Sequence, residues 1–390
     1  MNASITLKKH EDKRVLGGHL WVFSNEIASV DGAPQAGDIV LLRAHGGRPI
    51  GRGFYHPNSL IAFRLLSQAD QEIDFAFFQD RIGRALELRE RLFPGAKAFR
   101  LVHGESDLLP GLVIDKYHHY LTVQTFSAGM DKRLTLLCDV LDSLLKPKGI
   151  VERNESGTRE LEGLEPRKAV VRGNVGPATF EEHGLTYTVD LLEGQKTGFF
   201  LDQRENRFAL RRYCSGGARV LDCFSNDGGF ALNAAAGGAD AVVAVDSSAG
   251  ATERVMANAA QNKLRGVTAQ TADAFDWLKA AGARGERFDV INLDPPSFAK
   301  NRKSVPTAKI GYRELHDLAL ALLNPGGYLA TASCSHHIDE ETYLEIVQRA
   351  ARAAGRTAQL LEWRGASPDH PVLPAMPETR YLKFGVFRIA

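Results

Sequence analysis

Val220-Leu221-Asp222-Cys223-Phe224-Ser225-Asn226-Asp227-Gly228-Gly229-Phe230 runs from an apolar strand, through an acidic strand end and a loop of small polar residues, into a helix start near Gly229. Open α/β sheets bind ligands at the carboxyl ends of their strands. Glycines there let a ligand approach backbone and helix N-terminus. The spacing is not G-x-G-x-x-G, so the dinucleotide fingerprint is absent.

Working outward, two further strands end in acids. Ala241-Val242-Val243-Ala244-Val245-Asp246-Ser247 offers a carboxylate for a ribose diol. Thr271-Ala272-Asp273-Ala274-Phe275 offers one for an adenine amine, with Phe275 near the ring. Each Asp could instead only cap the next helix. Three in succession, with the glycine loop, suit a ligand with a nucleoside and a cationic head, and S-adenosylmethionine has both. The reading assigns to that cofactor Asp222, Phe224, Ser225, Gly228, Gly229, Asp246, Ser247, Asp273 and Ala274.

Gly194-Gln195-Lys196-Thr197-Gly198-Phe199-Phe200-Leu201-Asp202-Gln203-Arg204 precedes the first of these strands. It lacks the glycines of a phosphate loop. It reads as a lid that packs Phe199 or Phe200 over the cofactor, with Lys196 and Thr197 in contact, and leads into a helix at 202–213. A plain turn is the simpler alternative.

Asp289-Val290-Ile291-Asn292-Leu293-Asp294-Pro295-Pro296-Ser297-Phe298 ends the fourth strand. Two prolines make the backbone rigid directly after a strand-end acid. Asp-Pro-Pro-aromatic sequences suit methyl transfer to a planar nitrogenous ring. Asp294 is therefore expected beside both cofactor and target, with Pro295, Pro296 and Phe298 against the target and Lys300 and Arg302 on flanking phosphates. Ala332-Ser333-Cys334-Ser335-His336-His337 ends the fifth strand. A cysteine there faces the same crevice and suggests chemistry on a pyrimidine. A thiolate adding to carbon 6 of cytosine makes carbon 5 nucleophilic. His336 or local dipoles would assist deprotonation. Cys334 as a buried small hydrophobe is the alternative.

Strand candidates at 218–223, 240–245, 266–271, 288–293 and 327–333 alternate with helix candidates such as 248–262 and 307–323, which predicts a parallel sheet with helices on both faces. Before them, residues 1–72 read as short strands between glycine turns, a small barrel. Residues 73–190 read as an α+β unit: a helix over 74–92, strands near 111–115 and 120–124, a helix near 131–145, then β-rich sequence. Residues 191–390 form the α/β catalytic unit.

The 390 residues carry 44% hydrophobic and 24% charged side chains and a net charge of +1, so a dedicated non-specific nucleic-acid binder is disfavoured and any RNA contact must use local charge. Lys8, Lys9, Lys13 and Arg14 are such a cluster. Neither a signal peptide nor a membrane span is expected. Four scattered cysteines make no C-x-x-C pair, which points to reduced thiols in a cytoplasmic protein. The His118-His119 and His336-His337 pairs lack a third ligand at fixed spacing, so no metal is expected.

These residues resemble a known family, the bacterial large-subunit rRNA cytosine-C5 methyltransferases with an N-terminal PUA domain. His19-Leu20-Trp21-Val22-Phe23-Ser24 looks like the PUA opening; Glu105-Ser106-Asp107-Leu108-Leu109-Pro110-Gly111-Leu112 and Glu162-Gly163-Leu164 look like the central domain. Lys196 to Arg204, Asp294 to Phe298 and Ser333-Cys334-Ser335 match the catalytic domain. The resemblance implies a PUA domain, an α+β central domain and a Rossmann-like class I methyltransferase domain. It also implies Cys334 as nucleophile and large-subunit rRNA as partner, and leaves a homodimer open. Many RNA cytosine-C5 enzymes have a second cysteine in a Pro-Cys pair at the Asp294 loop. Pro296 stands there, so product release cannot use a second thiol at that loop. The rival readings are an exocyclic-amine methyltransferase acting at guanine N2, an inactive RNA-binding assembly factor, and a small-molecule methyltransferase.

Overall fold

The computed structural model describes residues 3–194, 197–299 and 301–390. They divide into two units. The first takes residues up to Phe180 together with Asp190–Leu201 and Pro368–Thr379. The second takes Glu181–Val189, Asp202–Ser367 and Arg380–Ala390. Two segments beyond the expected 190/191 boundary thus group with the first unit.

In the first unit, strands Ser4–Leu7, Trp21–Phe23, Ile27–Asp31, Ile39–Arg43, Pro49–Tyr55 and Ile61–Ser67 form one sheet. Its core holds Ile5, Leu7, Val22, Leu42, Phe63 and, from the distant C-terminal segment, Met376. A five-stranded sheet follows, from Ala98–His103 to Arg167–Gly173, with its strands adjacent in chain order. The amphipathic helices Phe75–Leu92 and Leu134–Leu145 bury Phe78, Ile82, Leu137 and Leu141 in its core.

The second unit is built on seven strands: β1 Arg219–Cys223, β2 Ala241–Asp246, β3 Val267–Thr271, β4 Phe288–Leu293, β5 Leu323–Ser333, β6 Ala358–Arg364 and β7 Lys383–Ile389. Their spatial order is β3-β2-β1-β4-β5-β7-β6. The order reverses between β1 and β4, and such a switch point opens a crevice beyond the strand ends. Strands β1 to β5 pair in parallel, as the alternating pattern predicts. Strand β7 runs antiparallel between β5 and β6. The parallel sheet expected from the sequence is thus extended by an antiparallel strand. Strand β7 escaped the sequence reading because only a short 3-10 turn, not a helix, separates it from β6.

Helices α1 Arg204–Leu210, α2 Gly229–Ala236, α3 Ala249–Gln261, α4 Ala274–Ala283, α5 Val305–Leu322 and α6 Glu340–Ala353 connect the strands. Central strands covered on both faces read as near-continuous apolar runs, which is why Val220-Leu221 and Val290-Ile291 are fully buried. Leu221, Ile291, Leu329, Trp277, Leu315 and Val347 join β1, β4 and β5 to α4, α5 and α6 in one core.

That core contains a polar line. Buried His316 on α5 donates from Nδ1 to the Tyr312 carbonyl (2.6 Å), and its Nε2 lies 3.0 Å from Thr331 Oγ1 on β5. The carbonyl can only accept, so Nε2 of the neutral ring accepts the threonine proton. Burial pushes the imidazole down to about 4. An unfolded histidine titrates near 6.5, so between these values the unfolded chain binds the extra proton and stability falls as pH falls. We expect unfolding free energy from urea titrations to drop by about 3 kcal/mol from pH 7 to pH 4 through this residue. His316→Gln should flatten that component; an unchanged acid slope in the variant would refute the assignment.

Candidate active site

The glycine loop sits where β1 ends. Asp222 is 1% exposed. Its Oδ2 accepts from the Ser225 hydroxyl (2.6 Å) and the Ala231 amide (3.0 Å), and its Oδ1 accepts from Asn292 Nδ2 (2.8 Å). Burial pushes its pKa up to about 6, against those three donors. Asp222 is thus engaged by the protein on both oxygens and shapes the loop, and Oδ1 keeps a second lone pair. Ser225 is likewise committed to Asp222.

The loop has a turn that few sequences tolerate. Phe224, Asn226 and Gly228 have φ of 63°, 48° and 83°. Side-chain-bearing residues pay for that conformation, and asparagine least. At Gly228 a β-carbon would also come 2.7 Å from Leu232 Cδ1. Gly228 caps α2, so its amide end and that of Gly229 lead the helix.

Asp246 ends β2 and is 9% exposed. Its Oδ2 accepts from the Asn226 amide and its Oδ1 from the Ser248 amide, both at 2.9 Å. Each oxygen keeps a second lone pair. Ser247 beside it is exposed. Asp273 is exposed and caps α4, its Oδ1 accepting from the amides of Phe275 (2.9 Å) and Asp276 (3.2 Å). The capping alternative therefore holds for Asp273, without removing it from the rim. Ala274, the first residue of that helix, is buried. The structure brings Asp222, Asp246 and the glycine loop together by direct bonds, with Asp273 at the next strand end.

A cationic, hydroxyl-bearing ligand fits this arrangement. Among the described residues the side-chain oxygen of buried Asn226 finds no hydrogen-bond partner, nor does that of Asn292. A buried acceptor without a donor is costly, and an N–H or O–H of a bound ligand at the loop would satisfy Asn226.

Asp294 follows β4 and is partly buried. Its Oδ1 accepts from Gln203 Nε2 (3.0 Å), whose own Oε1 accepts from Asn206 Nδ2 (2.6 Å). Gln203 is 2% exposed. Sequence reasoning quoted it only within the lid segment; the one signal was its place in that segment. Pro295 is buried and Pro296 exposed. Phe298 is half-buried and packs on Tyr312 (ring centroids 4.6 Å apart) and toward Phe275 (6.2 Å). Arg302 is exposed on a short 3-10 turn. Lys196 and Lys300 lie outside the described residues.

Cys334 follows β5, next to β4, and is partly exposed, whereas Cys138, Cys214 and Cys223 are buried. Its loop is joined to the Asp294 loop. Ser297 Oγ and Ser335 Oγ are 3.0 Å apart, and the Ala299 amide donates to Ser335 Oγ (3.3 Å). The Tyr312 hydroxyl bridges Ser333 Oγ (2.9 Å) and Ser335 Oγ (3.0 Å). Burial, then Tyr312, then both Asp294 and Cys334 raise the Tyr343 phenol well above its ordinary value. The acid and the thiol thus share one neighbour. His336 is exposed as a residue, yet desolvation and then the Lys383 ammonium hold its pKa below the ordinary value.

Phe199 belongs to the first unit, buried against Phe180, and the Tyr117 hydroxyl bonds both its amide (3.0 Å) and its carbonyl (3.2 Å). Thr197, in the same unit, is 2% exposed and donates its hydroxyl to Asp115 (2.5 Å). Phe200 there is half-buried. Among the described residues no cluster of three or more His, Cys, Asp or Glu is placed to hold a metal, and no helix is long and apolar enough to cross a membrane.

Comparison with known proteins gives concordant results. Residues 5–68 match the PUA-like domain, and residues 175–382 match the S-adenosylmethionine-dependent methyltransferase family. The chain is 39% identical, over 98% of both chains, to ribosomal RNA large subunit methyltransferase I of Shigella dysenteriae serotype 1. Its fold is similar to that of a protein from Streptococcus mutans described as a SAM-dependent methyltransferase (TM-score 0.84, 20% identity, 99% of both chains). It is equally similar to a methyltransferase complexed with S-adenosylhomocysteine (TM-score 0.85, 21% identity, 99% of both chains). The cofactor is S-adenosylmethionine.

Gly228→Ala tests the loop. Strain at positive φ and the short contact to Leu232 should cost about 1–2 kcal/mol of stability. Calorimetric titration should show S-adenosylmethionine bound roughly tenfold more weakly or worse, a loss of about 1.4 kcal/mol. Unaltered affinity would mean that the loop is not the cofactor's cradle.

Proposed function

The chain belongs to the S-adenosylmethionine-dependent methyltransferase family with an N-terminal PUA-like domain that includes ribosomal RNA large subunit methyltransferase I, and from that membership we propose that it methylates carbon 5 of a cytosine in large-subunit ribosomal RNA through a covalent adduct at Cys334. The observation that carries this reading is the pairing of two loops. Cys334, the cysteine that is not buried, stands at the end of β5, and its loop is hydrogen-bonded to the loop bearing Asp294.

Residues of the β1, β2 and β3 ends would hold the cofactor: the Gly228-Gly229 backbone, Asn226, Asp246 with Ser247, and Asp273 with Ala274. Phe224, Asp222 and Ser225 would support them from within the loop. Lys196, Thr197 and Phe200 are assigned to the same role by the sequence motif. When bound, the cofactor supplies an electrophilic methyl group on a sulfonium.

The chain's own residues do the rest. The Cys334 thiolate adds to carbon 6 of the ring, forming a C–S bond and turning carbon 5 into an enamine carbon that can take the methyl. Asp294, held by Gln203, binds the N3/N4 edge and stabilises the proton that N3 carries in the adduct. A water molecule entering the partly open site takes the carbon-5 proton, the C–H electron pair re-forms the C5–C6 double bond, and the C–S bond breaks with its pair returning to Cys334 as thiolate. Pro295 and Pro296 keep the loop rigid, so Asp294 need not be reoriented at each turnover. Phe298, backed by Tyr312, offers an apolar surface for a base that has left its stack. Arg302, with Lys300, would hold flanking phosphates. A ribosomal RNA substrate is met in the cytoplasm.

The competing chemistry, transfer to the exocyclic N2 of guanine, also suits an Asp-Pro-Pro-aromatic loop and needs no thiol. Cys334→Ala separates the two. We expect it to lower methyl transfer at least about a thousandfold while S-adenosylmethionine binding stays within twofold of wild type, roughly 0.4 kcal/mol. RNA carrying 5-fluorocytosine should trap wild-type enzyme as a denaturation-resistant adduct. Full activity in the variant would assign the amine reaction instead.

A further inference from the structure

Lys383 is a buried cation that the reaction just described does not use. It opens β7 and lies directly opposite Ser333 of β5. The residue is 5% exposed. Among the described residues it makes no ion pair. Its Nζ donates to the carbonyls of Ser335 and Tyr381, each at 2.7 Å. The first of these carbonyls belongs to the residue that follows Cys334.

Burying an ammonium on neutral carbonyls alone is costly. Burial pushes Lys383 down to about 8, and the largest influence opposing that is Cys334, ahead of Glu340 and Asp339. The nearby carboxylates are engaged elsewhere. Glu340 pairs with Arg380 (2.5 Å) and accepts from Trp363 Nε1 (3.1 Å), and Asp339 caps α6 through the Thr342 amide (2.7 Å). The other titratable groups around the pair are Tyr312 on α5, Tyr343 on α6, Asp294 after β4, and His336 and His337 on the loop itself. His336 is neutral near pH 7, so it adds no positive charge there.

We propose that Lys383 is the positioning residue for the Cys334 thiolate: its ammonium pins the loop through the Ser335 carbonyl and sets a positive charge beside the sulfur, so that the thiol ionises more readily. The S–H bond breaks heterolytically, the proton passes to solvent, and the sulfur keeps the electron pair. This rests on Cys334 reacting as a thiolate, as proposed above. An opposite charge close by favours the ionised form by about one to three pH units.

The test is the pH profile of Cys334 alkylation by iodoacetamide in the full chain, read by mass spectrometry of its peptide. Cys138, Cys214 and Cys223 are buried and serve as slow internal references. Three variants are compared with wild type. Lys383→Met removes charge and donors. Lys383→Gln keeps donors for the carbonyls without charge, which protects the loop. Lys383→Arg keeps both.

We expect the midpoint to move up by about one unit or more in the Met and Gln variants, slowing alkylation at neutral pH roughly tenfold. The Arg variant should follow wild type. A Gln profile superimposed on wild type overturns the proposal, as does an Arg profile displaced as far as Gln. Failure of the parent reading shows elsewhere, as methyl transfer retained in Cys334→Ala, and leaves these alkylation profiles unaffected.

Discussion

One buried carboxylate organises the catalytic half of this chain. Asp222 has almost no solvent, and it accepts from a hydroxyl of its own loop, an amide of the helix that follows and a side-chain amide of the neighbouring strand. Each donor comes from a different element. A buried carboxylate that needs such donors therefore aligns β1, the glycine loop, α2 and β4 at once. Its raised pKa records the cost of the arrangement. The positive-φ turn at Phe224, Asn226 and Gly228 can persist because that carboxylate and Asp246 hold it from two sides.

The other half of the crevice is built on neutral hydroxyls. Ser297, Ser333, Ser335 and Tyr312 link the loops after β4 and β5 without any charge among them. Charge enters from the next strand. Strand β7, the antiparallel member, brings Lys383 across to the Ser335 carbonyl. Neutral bonds hold the geometry, while Asp294 and Cys334 stay partly open to solvent.

Asp222, Asp246 and Asp273 look alike in sequence, each an acid at the end of an apolar run. They differ in what the tertiary structure delivers to them. Among the described residues, the side chains of Asn292 and Ser225 reach Asp222, backbone amides reach Asp246, and the amides of a helix start reach Asp273. Phe199 and Phe200 are neighbours in the chain, yet Tyr117 claims Phe199, a residue 82 positions away. Gln203 carries no pattern that marks it as the partner of Asp294, 91 positions on.

The sequence by itself determined the alternation of strands and helices, the strand-end acids, the glycine turn, and the place of Asp294 and Cys334 at the tips of successive strands. All of these follow from local periodicity and from which residues can occupy a turn. Only the tertiary structure decided the reversal at β7, which donors reach each acid, and the delivery of Lys383 to the Cys334 loop. Those depend on contacts between residues far apart in the chain, whose register is set by packing and by the pairing of buried polar groups, and no local window of sequence contains both partners.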